Sequence, residues 1–279
     1  MPTEKTFNAN AVELNYFDAG VTSADPLIML HGGAWCWQEY LSLIPSLAKR
    51  WHIYALDLRG NGRSAWVPET YRLQDFVEDN AQFLKRLDRP AILMGHSIGG
   101  VIALMLAGQY PDMVKALILE DIVLTLDNYR GVIDSCRDMF ALWLNLKQSA
   151  KSEQELALAL AEAYRDYPGV TSTWILFFAK CLRQLDPTFF NALLHNFEGF
   201  AAGYDYKHIM KTINCPRLFL RGEPKLGAVM TDEEISWLQK HCSNAKCALI
   251  DGVGHLLHLD PHGQTPVLTE IVEFLDKSK

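Results

Sequence analysis

The 279-residue chain has no run of lysine and arginine longer than two, no C-x-x-C pair, and no apolar stretch of the ~18 residues a membrane helix needs. The first absence, with a formal net charge of −7, argues against a nucleic-acid or anionic-membrane surface and leaves a small neutral or weakly charged molecule as the expected partner. The second bears on Cys36, Cys136, Cys181, Cys215, Cys242 and Cys247, whose wide spacing suits neither a zinc site nor a disulfide framework, so all six read as reduced thiols. The third, with an N-terminus (Met-Pro-Thr-Glu-Lys) that lacks an apolar segment of signal length, predicts a soluble, cytoplasmic protein. Internal repeats and low-complexity tracts are also missing.

What is present is apolar: 49% hydrophobic against 21% charged residues, enough for one large core or a core with a sizeable insertion. Continuous apolar runs ending in glycine or a polar residue recur at Pro26–Gly33, His52–Gly60, Ala91–Ser97, Val114–Asp121, Arg217–Glu223 and Cys247–Gly252, with a looser alternation at Ala11–Gly20. Runs apolar on both faces suit a parallel sheet covered by helices. Three- and four-residue apolar steps predict helices over Trp37–Lys49, Leu73–Leu87, Ile98–Tyr110, Asp232–His241 and Pro266–Lys277. The alternation defines an α/β class with a doubly wound, mostly parallel sheet. From Leu124 to Met210 the pattern offers only helix-like pieces rich in aromatics, so a core of residues 1–123 and 211–279 with a helical cap over 124–210 is expected.

The sequence Gly95-His96-Ser97-Ile98-Gly99 lies between a predicted buried strand and a predicted helix. G-x-S-x-G in that setting is a nucleophile elbow: the serine sits on a sharp turn that only flanking glycines leave room for, at the start of a helix. A serine hydroxyl needs a base, and His255, after a late strand and the Gly252-Val253-Gly254 turn, has the setting for one. His258, three residues on among leucines, reads as packing or a helix start. Two N–H donors must then face the oxyanion. Ile98, following the serine, supplies one, and Gly33 in His31-Gly32-Gly33-Ala34 is preferred over Ala34 for the other.

With the His31-Gly32-Gly33 loop, the segment Asp57–Ser64 (DLRGNGRS), the elbow and Gly254-His255, the chain resembles the α/β-hydrolase superfamily over nearly its whole length. The resemblance implies that the DLRGNGRS turn is structural. It also implies an acid three residues past a glycine after the strand ending near Leu220, where this chain has Gly222-Glu223-Pro224-Lys225. Lysine cannot orient and stabilise an imidazolium. The acid is then Glu223 from a shifted position or, as some relatives arrange it, Asp121 after the preceding strand. Asp121 is preferred, and its competing role is a hinge residue of the cap.

The cap aromatics predict an apolar pocket roof, with Trp35, Trp143 and Trp174 as candidate substrate contacts. The expected function is a serine hydrolase acting on a carboxylic ester or lactone of a hydrophobic or aromatic small molecule, as monomer or homodimer, without metal or organic cofactor. Serine at position 97 argues against haloalkane dehalogenase or epoxide hydrolase chemistry, which uses an aspartate nucleophile on this fold. Carbon–carbon bond hydrolysis, acyl transfer and receptor-like ligand binding with little turnover are the alternatives.

Overall fold

The structure, a computed structural model, describes residues 2–165 and 170–278. Each continuous apolar run becomes a strand, and the described strands form one sheet. They are β1 (Thr3–Ala9), β2 (Val12–Gly20), β3 (Pro26–Leu30), β4 (His52–Leu56), β5 (Ala91–His96), β6 (Val114–Glu120), β7 (Arg217–Arg221) and β8 (Ala245–Leu249). Their spatial order is β1-β2-β4-β3-β5-β6-β7-β8. β1 and β2 pair antiparallel with each other, β2 pairs antiparallel with β4, and the remaining pairings are parallel.

All residues of β3, β5 and β7 are buried, as strands covered on both faces must be. Their side chains alternate between two cores: Leu93, Leu117 and Leu119 join one, while Ile92, Met94, Ala116 and Ile118 join the other.

The helices before β6 are α1 (Ile44–Leu47), α2 (Leu73–Lys85) and α3 (Ile98–Gln109). α3 is buried over its first ten residues, consistent with a sequence apolar all round. Between β6 and β7 lie α4 (Leu126–Ser135), α5 (Arg137–Ser149), α6 (Glu153–Ala163), α7 (Ser172–Gln184), α8 (Thr188–His195), α9 (Phe197–Phe200) and α10 (Tyr206–Thr212), with no strand among the described residues of that stretch. α11 (Asp232–His241) joins β7 to β8, and α12 (Pro261–Lys277) follows β8.

Several local expectations need correction. The predicted helix over Trp37–Lys49 is a 3₁₀ segment, Trp37–Ser42, followed by the single turn of α1. Trp37, Gln38, Glu39 and Tyr40 are all buried in succession, which an amphipathic helix cannot arrange. β1 has no apolar run to announce it, and forms by pairing its backbone with β2 at the sheet edge. β8, at the opposite edge, is half-buried rather than covered on both faces. α12 begins at Pro261 rather than Pro266, because Asp260 caps it and proline suits the first helical position. Finally, Cys36 and Cys181 form a disulfide between the loop after β3 and α7, so the six cysteines are not all free thiols and do not argue for a reducing compartment. Among the described residues no helix is long and apolar enough to cross a membrane.

The register carries the turns that matter to one end of the sheet. Leu30 is paired with Gly95, His96 with Glu120, and Glu120 with Leu220, so the loops after β3, β5, β6 and β7 leave from the same carboxyl edge. The elbow crosses β3 so closely that a Cβ on Gly99 would lie 2.1 Å from the Leu30 carbonyl oxygen and 2.5 Å from that of His31. Neither obstacle is a flexible side chain. Gly99→Ala is therefore expected to lower stability to urea by about 2 kcal/mol or more. Gly131→Ala, on an exposed face of α4 with nothing within 4 Å, should leave stability unchanged or raise it by up to about 1 kcal/mol.

Candidate active site

At the end of β5 the chain enters α3 through Ser97, which adopts φ +52°. That conformation is costly for a residue with a Cβ, and is held here by Ser97 N–H donating to the Glu120 carbonyl at 3.0 Å and by the flanking glycines. Two other non-glycine residues of this edge have positive φ, Ala34 at +66° and Asp121 at +42°. All three stand on loops leaving the carboxyl ends of neighbouring strands.

Ser97, His255 and Asp121 form a continuous chain of hydrogen bonds. Ser97 Oγ lies 3.1 Å from His255 Nε2, and His255 Nδ1 lies 2.7 Å from Asp121 Oδ2. A carboxylate accepts only, so Nδ1 carries the proton and leaves Nε2 to receive one from the serine. Asp121 is fully buried; its Oδ2 also accepts from Val229 N–H at 2.8 Å and its Oδ1 from Met230 N–H at 3.4 Å. Glu223 is elsewhere engaged: it accepts from Gly252 N–H at 2.6 Å and pairs with Lys225 at 2.5 Å, away from the histidine ring. Lys225 itself is exposed.

On the facing loop, Gly32 N–H is spent on Glu39 Oε2 at 2.7 Å. Gly33 N–H meets no protein acceptor among the described residues, and neither does Ile98 N–H, which as the first residue of α3 has no helical partner. Both residues line the cavity that holds Ser97 and His255. This cavity, of about 690 Å³, is walled by the three candidate tryptophans, Trp35, Trp143 and Trp174, with Phe140, Phe189 and Phe190 from the inserted helices.

Beneath the triad lies a set of buried charges that the sequence does not announce. His96 Nδ1 bonds Glu39 Oε1 at 2.5 Å and His96 Nε2 donates to the backbone carbonyl of His255 at 3.0 Å, so both ring nitrogens face acceptors. Burial alone would lower the imidazole, but the Glu39 carboxylate, with Glu120 nearby, pushes it up to about 9. Burial would raise Glu39, and His96 holds it below the usual carboxylate range. His258 is fully buried, with Nδ1 2.7 Å from Glu120 and Nε2 3.2 Å from the Glu39 carbonyl, its ring stacked on Tyr40. It does pack, as its leucine neighbours suggest, with its ring hydrogen-bonded to the Glu120 carboxylate. His31 is different again: Leu58 N–H donates to its Nε2, its Nδ1 bonds the Gly32 carbonyl, and burial holds it below the ordinary imidazole value. Asp57 of the DLRGNGRS turn takes Asn15 Nδ2, Trp37 N–H and Arg63 N–H, a turn-building role.

A serine on a strand–turn–helix, hydrogen-bonded through a histidine to an aspartate, is an arrangement that can carry nucleophilic chemistry. The chain belongs to the alpha/beta hydrolase fold family, whose pattern matches residues 25–261. It is 31% identical over 104 residues to (E)-2-((N-methylformamido)methylene)succinate hydrolase of Acinetobacter baylyi (strain ATCC 33305 / BD413 / ADP1), covering 37% of this chain and 39% of that protein. In three curated relatives, this one among them, the matched part is 29, 39 and 44% of the relative's own length. Among solved structures, E-2-(acetamidomethylene)succinate hydrolase superposes with a TM-score of 0.77 at 19% identity, covering 99% of this chain and 100% of that one. A thermophilic esterase from Thermogutta terrifontis gives 0.73 at 21% identity, covering 99% of each chain. At such identities these likenesses establish the fold.

The Glu39–His96 pair makes stability depend on pH. The folded-state value of His96, about 9, lies above the ordinary 6.5, so its contribution is complete below 6.5 and is lost as the pH climbs from there through about 9. Melting temperatures measured from pH 6 to 10 are expected to fall across that window. In Glu39→Gln, which removes the charge that holds the proton, the fall should be absent and the protein less stable at pH 6.

Proposed function

We propose that the protein hydrolyses a carboxylic ester or lactone of a hydrophobic or aromatic small molecule through an acyl-enzyme on Ser97. The observation that carries this is the chain Ser97–His255–Asp121 opening into an apolar cavity beside two free backbone donors. Ser97 Oγ attacks the substrate carbonyl carbon while its proton passes to His255 Nε2. Asp121 keeps the imidazole in the required tautomer and offsets its charge once protonated. The carbonyl oxygen becomes an oxyanion held by Gly33 N–H and Ile98 N–H. His255 then gives its proton to the leaving alkoxide, and a water, deprotonated by the same histidine, cleaves the acyl-enzyme and restores Ser97.

In this reading residues 1–123 and 211–279 supply the machinery, and residues 124–210 form a cap that excludes water from the acyl group. Trp35, Trp143 and Trp174 hold the hydrocarbon part of the substrate. A receptor-like protein with the same triad would bind an apolar ligand and turn over esters once or very slowly, so multiple turnover separates the two.

Ser97→Ala and His255→Ala should each lower kcat for p-nitrophenyl esters by roughly 10⁴- to 10⁶-fold with the fold retained, and the double variant should be no slower than either. A fluorophosphonate should label Ser97, and mass spectrometry placing the label on Ser64 or Ser135 would reject the assignment. For the acid, Asp121→Asn should cost on the order of 10⁴ in kcat, because an amide can stabilise the wrong tautomer and cannot offset the imidazolium. Glu223→Gln should cost far less, and the reverse order would return the acid to the later strand.

A further inference from the structure

The cavity over Ser97 is mostly hydrocarbon, so its few polar groups decide what it accepts. Several are already spent on the protein, although the indole N–H groups of Trp35 and Trp174 are not, among the described residues. Trp143 Nε1 donates to Tyr164 Oη at 2.7 Å, Asn128 Nδ2 donates to the Val229 carbonyl at 2.9 Å, and Ser135 Oγ donates to the Val132 carbonyl at 2.8 Å. Tyr129, on α4, is in a different position. Its ring is fixed edge-on by Phe197 and Phe200, with centroids 5.4 and 6.1 Å away, and the residue is only 5% exposed. Its hydroxyl meets no hydrogen-bond partner among the described residues, and burial is the sole influence on the phenol, raising it and keeping it protonated. The hydroxyl is not sealed from solvent, and Tyr129 is one of the residues that line the cavity.

Charge narrows the ligand further. Among the described residues lining the cavity there is no lysine or arginine. His96 is committed to Glu39, and Asp260, the carboxylate on the wall, is itself an anion that caps α12. A carboxylate carried into this space would lose its water without gaining a cation. A neutral oxygen would lose less, and would find a donor in the phenol.

We infer that the cavity takes an uncharged, largely hydrocarbon group bearing one oxygen function, a hydroxyl, ether or carbonyl, whose oxygen accepts a hydrogen bond from Tyr129. This rests on the ester-hydrolase reading and names its substrate class. Tyr129 is then a specificity-determining residue, acting on the substrate away from the reacting carbonyl.

The test is a set of aryl esters with matched acyl chains: hydrocarbon, with a hydroxyl or keto oxygen moved along the chain, and with a terminal carboxylate. In the unaltered protein one oxygen position should be preferred over its hydrocarbon match by roughly 5- to 30-fold in kcat/KM, and the carboxylate ester should be at least about tenfold poorer than its neutral match. Tyr129→Phe should bring the oxygen preference to within about twofold of unity, whatever it does to either rate alone. A general loss of packing would slow both esters and leave the ratio. A ratio that survives Tyr129→Phe, the lack of any preferred position, or a preference for the carboxylate ester overturns the inference. If no ester turns over, the hydrolase reading fails and the subsite is still measured. Ser97→Ala is then titrated with matched long-chain ketones and alkenes by tryptophan fluorescence, with and without Tyr129→Phe. A ketone preference lost in the double variant supports the subsite, and equal affinities overturn it.

Discussion

The site depends on one buried ion pair. Glu39 and His96 lie at the centre of the loops that carry the candidate site residues: Glu39 holds Gly32 N–H beside the candidate oxyanion donor, His96 precedes the serine, and the far nitrogen of His96 holds the carbonyl of His255. Glu120 and His258 repeat the arrangement on the neighbouring strand, next to Asp121, and His258 returns to the Glu39 carbonyl. Charges removed from water are costly unless each is matched, so this layer permits few alternative loop positions.

Fixed loops in turn make the strained residues tolerable. Ala34, Ser97 and Asp121 all hold positive φ, and each sits between a strand end and a hydrogen bond that anchors the loop beyond it. Asp121 N–H donates to the Leu220 carbonyl at 2.8 Å, as Ser97 N–H does to that of Glu120, so the sheet ladder continues one residue past each strand and ends on a candidate site residue. Strain of this kind persists where the surroundings over-determine it. The loop after β7, where Lys225 stands in the position of the expected acid, still holds Asp121, because Val229 and Met230 donate their N–H groups to it.

Above this rigid edge the inserted helices are tied down at both sides of the cavity. Glu234, buried at the start of α11, accepts from Leu124 N–H and Thr125 N–H where the insertion leaves the sheet, and from Asn128. The Cys36–Cys181 bridge joins α7 to the loop that carries Gly33. Trp35, beside that bridge, packs against Trp174, Phe177 and Phe178 of α7. The aromatic roof is therefore continuous with the loop that carries Gly33, and the apolar environment it provides would strengthen a charge interaction made there.

Steric and periodic constraints are local, and they were legible in the sequence. The elbow could be read because a turn that tight demands glycine at both sides of Ser97. The buried strands could be read because a sheet covered on both faces demands unbroken apolar runs. His255 was legible from its turn, and Asp121 and Glu223 could be named as rivals because both follow strands that end at the same edge. The sequence favours Asp121, on the precedent of relatives, without excluding Glu223. That choice depends on which carboxylate the folded chain leaves free, and Glu223 is taken by Gly252 and Lys225 while Asp121 reaches the imidazole. Glu39 and Glu120 were invisible for the same reason: their partners lie 57 and 138 residues away, and an acid in an apolar stretch announces nothing until the histidine it bonds arrives. The disulfide likewise joins cysteines 145 residues apart, and the Tyr129 hydroxyl, without a partner among the described residues, is defined by what does not surround it. The sequence by itself determined the shape of the turns and the residue types they present. Only tertiary packing decided which charges are paired, because pairing is a property of space and not of spacing.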